Sequence, residues 1–379
     1  MSGEVRHLLH VFPSFAVGGA QARFCALANH FGPRYRHSVI ALDGDRAAAA
    51  RLDPRLDVAF PEIVLPKRRM LAALRACHAA LGTLRPDRLV TYNWGAIEFA
   101  LANRLRGIPH LHVEDGFGPE ERDRQLPRRV RLRRLALARS AVALPSRTLL
   151  RLASETWRLD RARLHYVPNG IAVARFRVAA DPALRAWAGA APLIGTVAGL
   201  RAEKNIARLL AGFAPHAAMA RLAIAGDGPQ RAALEAEAAR LGIAARVRFL
   251  GACADPAPIH AAFDIFALSS DTEQMPLTLM EAMARGAPVA ASDVGDVAAM
   301  VAEANRPFIV PAEAAALSRA LGALLADAPL RARLGAANRA RAEAQFDQAR
   351  MFADFAALFD GRNPALRSAS DDAGPVRAG

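Results

Sequence analysis

Short apolar segments with strand character alternate with helical segments along most of the chain. In the first half, the predicted strands are 5–12, 37–42, 62–65, 88–91, 109–113 and 141–144. In the second half, they are 193–197, 222–225, 247–250, 265–268, 288–291 and 308–310. Strands that alternate with helices indicate parallel sheets covered by helices on both faces. The predicted fold class is therefore α/β, with two Rossmann-like, doubly wound domains.

The alternation is interrupted at 182–192, a stretch bounded by prolines that is interpreted as a linker. A length of 379 residues also favours two domains. The first is predicted at 1–185 and the second at 190–347, with a ligand-binding cleft between them. A C-terminal helix at 348–362 is expected to pack back on the first domain. The polar stretch 363–379 lacks periodicity and is predicted to be a disordered tail.

The segment 271–281 contains two glutamates, Glu273 and Glu281, eight positions apart. It follows the predicted strand 265–268, and Pro276 suits the first position of a helix because it lacks an N–H. Glu273 is therefore placed on the loop beyond a strand and Glu281 on the next helix. Free N–H groups at a helix start form a cradle for a diphosphate, and open parallel sheets bind ligands at this edge. One glutamate would bind the hydroxyl groups of a sugar and the other a ribose.

A second candidate ligand loop follows the first predicted strand. The segment 13–19 ends in Gly18 and Gly19 and leads into a predicted helix at 20–30. Glycines between a strand and a helix let the backbone approach a phosphate or a sugar closely. The later glycine of the dinucleotide-binding fingerprint is missing from this loop, which argues against a NAD-dependent dehydrogenase.

The net charge is +14, and nearly all the positive charge is arginine, with lysine only at Lys67 and Lys204. In a chain so rich in alanine and arginine, the retained Lys204 is a functional candidate because a compact ammonium differs from a guanidinium. The three cysteines show neither metal nor disulfide spacing, which fits a reducing cytosol. No apolar run in the sequence is long enough to span a bilayer.

One arginine-rich stretch is interleaved with leucine and valine and predicts a basic amphipathic segment. Its arginines are Arg122, Arg124, Arg128, Arg129, Arg131, Arg133, Arg134 and Arg139. Such segments bind anionic membrane surfaces, so the expected location is cytoplasmic, peripheral on the inner face of the cytoplasmic membrane. A solvated helix face would show the same pattern. Nucleic acid is not an expected partner because no recognition motif accompanies the charge.

Several motifs together resemble the retaining glycosyltransferases of family four, which have the GT-B fold. They are the Gly18–Gly19 loop and residues 167–171, 197–205, 225–229, 249–251 and 273–289. The resemblance covers nearly the whole chain in the expected order. Each motif is weak alone, but the combination with the glutamate spacing is specific.

The resemblance implies that the second domain binds a nucleotide-diphosphate sugar and the first domain a glycan or lipid-linked glycan acceptor. Lys204 would contact the diphosphate, Glu281 the ribose and Glu273 the transferred sugar. The other donor-binding candidates are Gly18, Gly19, Arg201, Gly226, Asp227, Met275, Pro276 and Leu277. Transfer would retain the anomeric configuration, with the leaving diphosphate helping to deprotonate the acceptor. Neither a metal ion nor another cofactor is expected.

The chain departs from this family pattern at two positions. Gly199 stands where many relatives carry an arginine, and Arg201 on the same loop is predicted to replace that cation. Asp115 stands where many relatives have a histidine. Asp115 is therefore predicted to bind the acceptor or the transferred sugar and to take the acceptor proton. Glu114 and Asn93 are the other acceptor-binding candidates, and pairing of these acids with nearby arginines is the structural alternative.

Two other functions remain open from the sequence. A nucleotide-sugar epimerase of GT-B fold would rearrange the sugar without an acceptor, although the two-glutamate motif argues against it. A catalytically degenerate sugar-binding protein would explain the missing arginine and histidine. The presence of Lys204, Glu273 and Glu281 opposes that reading.

Overall fold

The computed structural model describes residues 5–66, 69–117, 121 and 124–364. Lys67, Arg122 and residues 365–379 of the predicted tail lie outside the described residues. The chain forms two compact units. Among the described residues, the first unit contains 5–168 and 351–364, and the second contains 169–350.

The first unit is built on a seven-stranded parallel sheet. Its strands are β1 (Arg6–Phe12), β2 (Tyr35–Ala41), β3 (Val58–Ala59), β4 (Arg88–Tyr92), β5 (His110–Val113), β6 (Ala141–Leu144) and β7 (Leu164–Tyr166). They lie in the order β3-β2-β1-β4-β5-β6-β7. The helices are α1 (Gly19–Phe31), α2 (Met70–Leu84), α3 (Ile97–Arg106), α4 (Pro127–Leu137) and α5 (Arg147–Glu155).

The strand predicted at 62–65 is absent from the described part of the first sheet, whose third strand is β3 instead. Ile63 and Leu65 still pack against the apolar core, and Val64 between them is exposed, as alternation predicts. Pro61 and Pro66 flank these residues. Proline has no N–H to donate to a strand ladder, so the segment packs on the core without joining the sheet.

The second unit contains a six-stranded parallel sheet. Its strands are β8 (Leu193–Val197), β9 (Arg221–Ala225), β10 (Val247–Gly251), β11 (Ile265–Leu268), β12 (Val289–Ser292) and β13 (Ile309–Val310), in the order β10-β9-β8-β11-β12-β13. Its helices are α6 (Pro182–Ala188), α7 (Ile206–Phe213), α8 (Arg231–Arg240), α9 (Ala257–Ala262), α10 (Leu277–Arg285), α11 (Val297–Met300), α12 (Ala314–Ala326) and α13 (Ala328–Gln345). The central strands β11 and β12 are fully buried, because helices cover both faces of a parallel sheet.

The stretch at 182–192, predicted as a linker, instead begins with helix α6. Asp181 caps this helix by accepting a hydrogen bond from the Leu184 backbone N–H at 2.7 Å. Pro182 occupies the first turn, where its missing N–H costs nothing, and Leu184 and Ala188 are buried. Residues 169–185, predicted to end the first domain, belong to the second unit, and the division falls after Pro168.

The last helix, α14 (Gln348–Phe359), starts in the second unit and from Met351 onward belongs to the first. Met351, Phe355 and Phe359 are buried in the same apolar cluster as Leu8 and Phe12 of β1. Within the described ranges, no helix is both long and apolar enough to cross a membrane.

Each sheet reverses its direction of strand addition at one point. In the first sheet β4 lies beside β1, and in the second sheet β11 lies beside β8. Loops that leave the carboxyl ends of two such strands diverge, which opens a crevice where open α/β sheets bind ligands. Gly18 and Asn93 lie on such loops in the first unit, and Arg201, Lys204 and Glu273 lie on such loops in the second.

Candidate active site

Lys204 and Glu273 meet where β8 and β11 lie side by side in the second unit. Lys204 is on the loop after β8 and Glu273 on the loop after β11. Their Nζ and Oε1 atoms are 2.6 Å apart. The two side chains are 18% and 9% exposed, respectively, so the pair is largely shielded but open on one side. The structure thus joins two residues that the sequence proposed separately.

Hydrogen bonds hold the two loops together around this pair. The Ser270 hydroxyl donates to Glu273 Oε1 at 2.7 Å, beside the Lys204 ammonium. The Ser269 hydroxyl donates to the backbone carbonyl of Lys204 at 3.1 Å. The Asp271 N–H donates to the carbonyl of Glu203 at 2.8 Å. Glu273 Oε1 therefore already receives two donors, which leaves Oε2 for a further partner.

Asn205 fixes the end of the Lys204 loop. Its backbone is left-handed, with φ of 42°, a conformation that asparagine tolerates better than most residues. Its side-chain oxygen caps α7 by accepting from the Arg208 N–H, and its amide donates to Asp271 at 3.0 Å. Arg208 also donates to Asp271 and to the carbonyl of Ser269. Asparagine before an apolar helix is a capping signal, so this role was available from the sequence.

Two glycines let neighbouring loops approach the site closely. Gly226 has φ of +133°, and a Cβ there would collide with the carbonyl oxygen of Ala198. Gly295 has φ of +57°, and a Cβ there would collide with the carbonyl oxygen of Glu273. Asp227 is exposed, accepts from the Gly228 N–H at 2.8 Å and pairs with Arg231 at 3.2 Å. Gly226 and Asp227 thus shape the loop beside Lys204.

The start of α10 presents its N–H groups without a side-chain cap. The helix begins at Leu277, and Pro276 precedes it as the capping residue rather than occupying the predicted first position. Met275 is buried, while Leu277 is partly buried against the core. Thr278 Oγ1 is buried and has no hydrogen-bond partner among the described residues. Uncapped N–H groups at a helix start are suited to binding phosphate.

Glu281 lies on α10, and its contact is a histidine that the sequence analysis did not identify. His260 Nε2 lies 3.2 Å from Glu281 Oε2. The Glu281 side chain is 18% exposed, whereas His260 is fully buried. Glu281 therefore contacts the buried interior of the unit through His260, and part of its side chain remains accessible to solvent. No spacing rule links a residue of α9 to one of α10, so this partner was not predictable from the sequence.

Gly199 and Arg201 lie on the loop after β8. A Cβ at Gly199 would meet nothing closer than Arg201 Nε, at 3.8 Å, and that distance is an ordinary contact. Space for a side chain therefore exists at Gly199, and the Arg201 guanidinium already lies beside it. Arg201 is well exposed and pairs with Glu203 at 2.8 Å.

In the first unit, Asn93 and Asp115 lie on loops after β4 and β5. The Asp115 N–H donates to Asn93 Oδ1 at 2.7 Å. Asp115 also accepts two hydrogen bonds from the buried Arg23 of α1, at 2.6 and 2.8 Å. Burial lowers the pKa of Arg23, but the Asp115 charge outweighs this effect and raises the pKa overall. Both Asp115 oxygens are thus engaged by a guanidinium, an arrangement that does not favour proton transfer.

Glu114, predicted to bind the acceptor, has a fully buried side chain, so it does not reach an acceptor in this structure. Its Oε2 lies 3.6 Å from Arg133 Nε and 3.5 Å from His112 Nε2. Consecutive residues of a strand point to opposite faces, and the side chain after Val113 turns inward to the buried arginine. Glu114 therefore has a structural role.

The two glycines of the first candidate loop lie at the start of α1. Gly18 is the residue before the helix and has an extended backbone, and Gly19 is the first residue of the helix.

A family profile described as "Glycosyl transferases group 1" matches residues 183–341, and one described as "Glycosyltransferase Family 4" matches residues 17–175. A 2-deoxystreptamine glucosyltransferase of Streptomyces kanamyceticus is 31% identical over 329 residues, which cover 80% of each chain. The chain belongs to glycosyltransferase family 4. A 2-deoxystreptamine N-acetyl-D-glucosaminyltransferase of Streptomyces fradiae is 29% identical over 83% of this chain and 84% of its own length.

Solved structures confirm the GT-B fold of this family 4 glycosyltransferase. Anabaena Alr3699/HepE, crystallised with UDP and glucose, has a TM-score of 0.80 and 20% sequence identity. The comparison covers 94% of this chain and 100% of the other. The predicted fold class is therefore confirmed.

The basic stretch of this glycosyltransferase is less exposed than its sequence suggested. Arg133 is fully buried, donates to both oxygens of Glu121 and lies 4.9 Å from the Trp94 ring and 4.8 Å from the Trp157 ring. Arg134 donates to the carbonyls of Thr156 and Trp157. Both side chains serve the fold. The described arginines of the stretch that are exposed are Arg124, Arg128, Arg131 and Arg139.

Proposed function

We propose that this family 4 glycosyltransferase takes its sugar from a nucleotide-diphosphate sugar and transfers it with retention of the anomeric configuration. The observation that carries the proposal is the Lys204–Glu273 pair at the junction of β8 and β11. It combines a cation for a diphosphate with a carboxylate for sugar hydroxyls. Glu281, on the helix that follows Glu273, supplies a second carboxylate for the ribose.

The difficult step is departure of the diphosphate from an oxocarbenium-like sugar. Lys204 and the uncapped start of α10 would stabilise the charge that develops on the leaving group, since preorganised donors act on the transition state. Glu273 Oε2 would hold the sugar in place. A diphosphate oxygen that remains on the same face would accept the acceptor proton. This step requires no protein base and no metal ion, in agreement with the paired state of Asp115.

The proposed acceptor is a glycan or a lipid-linked glycan. Asn93 and Asp115 are the proposed contacts in the first unit, because Asp115 keeps 19% of its side chain exposed beside its arginine. The Gly18–Gly19 loop is proposed to approach the donor with its backbone. Neither curated relative favours the epimerase, since both are named as transferases of a sugar.

A donor screen tests the proposed function. The purified protein is heated with UDP-, GDP- and ADP-linked sugars, and one nucleotide class is expected to raise the melting temperature. A ligand at 100 times its Kd stabilises the folded state by about 2.7 kcal/mol. The stabilising donor is then incubated with glycan acceptors with and without EDTA, and NMR reports the anomeric configuration of the product. Binding of none of the three classes, or an inverted product, would contradict the proposal.

Arg201→Ala is expected to weaken binding of the stabilising donor by about tenfold, because a guanidinium that contacts a diphosphate makes a charge-assisted hydrogen bond. Isothermal calorimetry measures the donor Kd. Arg240→Ala is the matched control, since Arg240 is an exposed arginine of α8 paired with Glu237. An unchanged Kd for Arg201→Ala would show that Arg201 does not replace the cation missing at Gly199.

We also propose that the exposed residues of α4 and of the chain on either side of it bind an anionic membrane surface. Arg128, Arg131 and Arg139 are exposed together with Leu126 and Leu135. Each cation near an acidic surface contributes about 1 kcal/mol. The protein is therefore expected to sediment with vesicles containing phosphatidylserine at physiological salt, and not with phosphatidylcholine alone.

The double variant Arg128→Glu/Arg131→Glu is expected to lower this sedimentation by roughly tenfold or more, since two attractive charges become repulsive. Arg133 and Arg134 are left in place because they stabilise the fold. Equal sedimentation of parent and variant, or none for the parent, would refute the membrane proposal without affecting the donor site.

A further inference from the structure

His260 contacts Glu281 from inside the second unit. His260 lies on α9 and is 1% exposed, and Glu281 lies on α10. The Nε2 and Oε2 atoms are 3.2 Å apart. A carboxylate accepts hydrogen bonds and has none to donate, so the imidazole proton of this contact belongs to Nε2.

The surroundings of His260 are aromatic. Its ring centre lies 5.9, 5.7 and 5.6 Å from those of Phe176, Phe263 and Phe266. His260 Nδ1 is buried and has no hydrogen-bond partner among the described residues. A phenylalanine would fill the same position without leaving a polar atom unpaired, and an unpaired buried polar atom is costly. The histidine therefore needs an explanation other than packing, and the hydrogen bond that its side chain makes goes to Glu281.

The contact restricts Glu281. A glutamate on a helix surface normally samples several rotamers, and its terminal torsion is broad. The bond from His260 engages Oε2 and leaves Oε1 for a ligand, and the Glu281 side chain as a whole is 18% exposed. A group that is already held in its binding geometry loses less freedom when a ligand arrives.

We propose that His260 is a positioning residue for the donor ribose, which holds Glu281 in the rotamer that accepts hydrogen bonds from the two ribose hydroxyls. This inference rests on the proposed function, in which Glu281 binds the ribose of the nucleotide-diphosphate sugar. His260 itself does not touch the donor, because it is buried beneath Glu281. Its effect is therefore specific for the ribose hydroxyls and absent for the rest of the nucleotide.

The experiment compares nucleotides with and without those hydroxyls. UDP, GDP and ADP, each paired with its 2′,3′-dideoxy form, are titrated into the parent protein by calorimetry. With the nucleotide that binds, the parent is expected to prefer the ribo form by about tenfold or more, about 1.4 kcal/mol, since hydrogen bonds to a charged acceptor are the stronger ones. His260→Phe is expected to reduce this preference to about threefold or less, with the Kd of the dideoxy form unchanged.

A second variant separates positioning from simple stability. The amide nitrogen of a glutamine reaches about as far as Nε2 of a histidine, so His260→Gln is expected to keep most of the preference for the ribo form. In the background of Glu281→Ala, His260→Phe is expected to change the Kd of neither form, because a residue that acts through Glu281 has no effect without it.

The outcomes distinguish two claims, that Glu281 binds the donor ribose and that His260 positions Glu281. If the parent binds ribo and dideoxy forms equally, Glu281 does not bind the ribose, and that assignment fails together with this inference, while the Lys204–Glu273 pair still accounts for nucleotide binding. If the parent prefers the ribo form and His260→Phe retains that preference, the donor site stands and the inference is overturned. Equal loss of preference in the phenylalanine and glutamine variants would likewise overturn it, since a merely structural role predicts that result.

Discussion

Lys204→Ala is expected to lower the rate of sugar transfer by about 10²–10³-fold, which corresponds to roughly 3–4 kcal/mol of transition-state stabilisation. The ammonium would contact the diphosphate as negative charge develops, and no other lysine is present in the described part of the chain. The substitution also removes one of the two donors to Glu273 Oε1, which frees the carboxylate to move. Initial rates at saturating donor and acceptor measure the effect.

Two variants control for this result. Lys204→Arg keeps the positive charge but replaces a compact ammonium by a planar guanidinium, so it is expected to have only part of the parent's transfer rate. Arg240→Ala removes an exposed cation of α8 and is expected to turn over like the parent. Glu281→Ala is not a control but a second test of the site, and it is expected to lose sugar transfer because it binds the donor more weakly. A parent-like rate for Lys204→Ala, with its melting temperature unchanged, would show that the site is assigned incorrectly.

Arg133→Met is expected to lower the free energy of unfolding by about 3–5 kcal/mol, the usual cost of removing one partner of a buried ion pair. The substitution leaves the buried Glu114 carboxylate without its arginine and, among the described arginines, leaves Glu121 with Arg129 alone. Tryptophan fluorescence during urea unfolding is a suitable measurement, because Trp94 and Trp157 contact Arg133. In a Trp187→Phe background, both remaining tryptophans report on this cluster.

Arg131→Met on the same helix is the matched control. Its side chain is exposed, so the expected change is within about 0.5 kcal/mol. Arg133→Lys keeps the charge but not the bidentate contact with Glu121. Its free energy of unfolding is expected to lie between those of Arg133→Met and Arg131→Met. Equal unfolding midpoints for Arg133→Met and Arg131→Met would contradict the stabilising role of the buried arginine.

Glu121 gives the same cluster a pH dependence. Burial raises the pKa of Glu121, but the hydrogen bonds and charge of Arg133, with hydrogen bonds from the Leu126 N–H and Arg129, outweigh it and leave the pKa below its usual value. A carboxylate with a lower pKa in the folded state stabilises the fold above its unfolded pKa, about 4.3, and ceases to do so as pH falls through the folded value.

The sequence predicted the parts of the site that follow from chain order. Alternating strands and helices predict parallel sheets, and parallel strands present their carboxyl ends at one edge. Glu273, just beyond a predicted strand, was therefore expected at that edge, and the structure joins it to Lys204, which was proposed separately. Apolar segments also predicted individual strands well, since β8 and β11 were predicted at 193–197 and 265–268, and the structure has Leu193–Val197 and Ile265–Leu268.

Side-chain burial was not predictable where the partners are distant in the sequence. Arg133 looked like one arginine in a basic surface because Trp94 and Trp157 lie far from it along the chain. Asp115 looked like a free acid because Arg23 lies 92 positions away. In both cases the local segment is as charged as the sequence analysis described. Whether the residue is buried and paired depends on a tertiary contact that the local segment does not contain.

The placement of β11 beside β8 determines when the site is complete during synthesis. Strands β8, β9 and β10 are consecutive in the sequence and neighbours in the sheet, and they leave the ribosome with Lys204 before β11 does. Glu273 follows 69 residues later, roughly 3–14 s at usual elongation rates. Until β11 has emerged from the ribosome, one edge of β8 is unpaired and Lys204 lacks its partner Glu273. A nascent chain therefore passes through an interval in which this edge is open to wrong pairing, and a chaperone would have most to protect there.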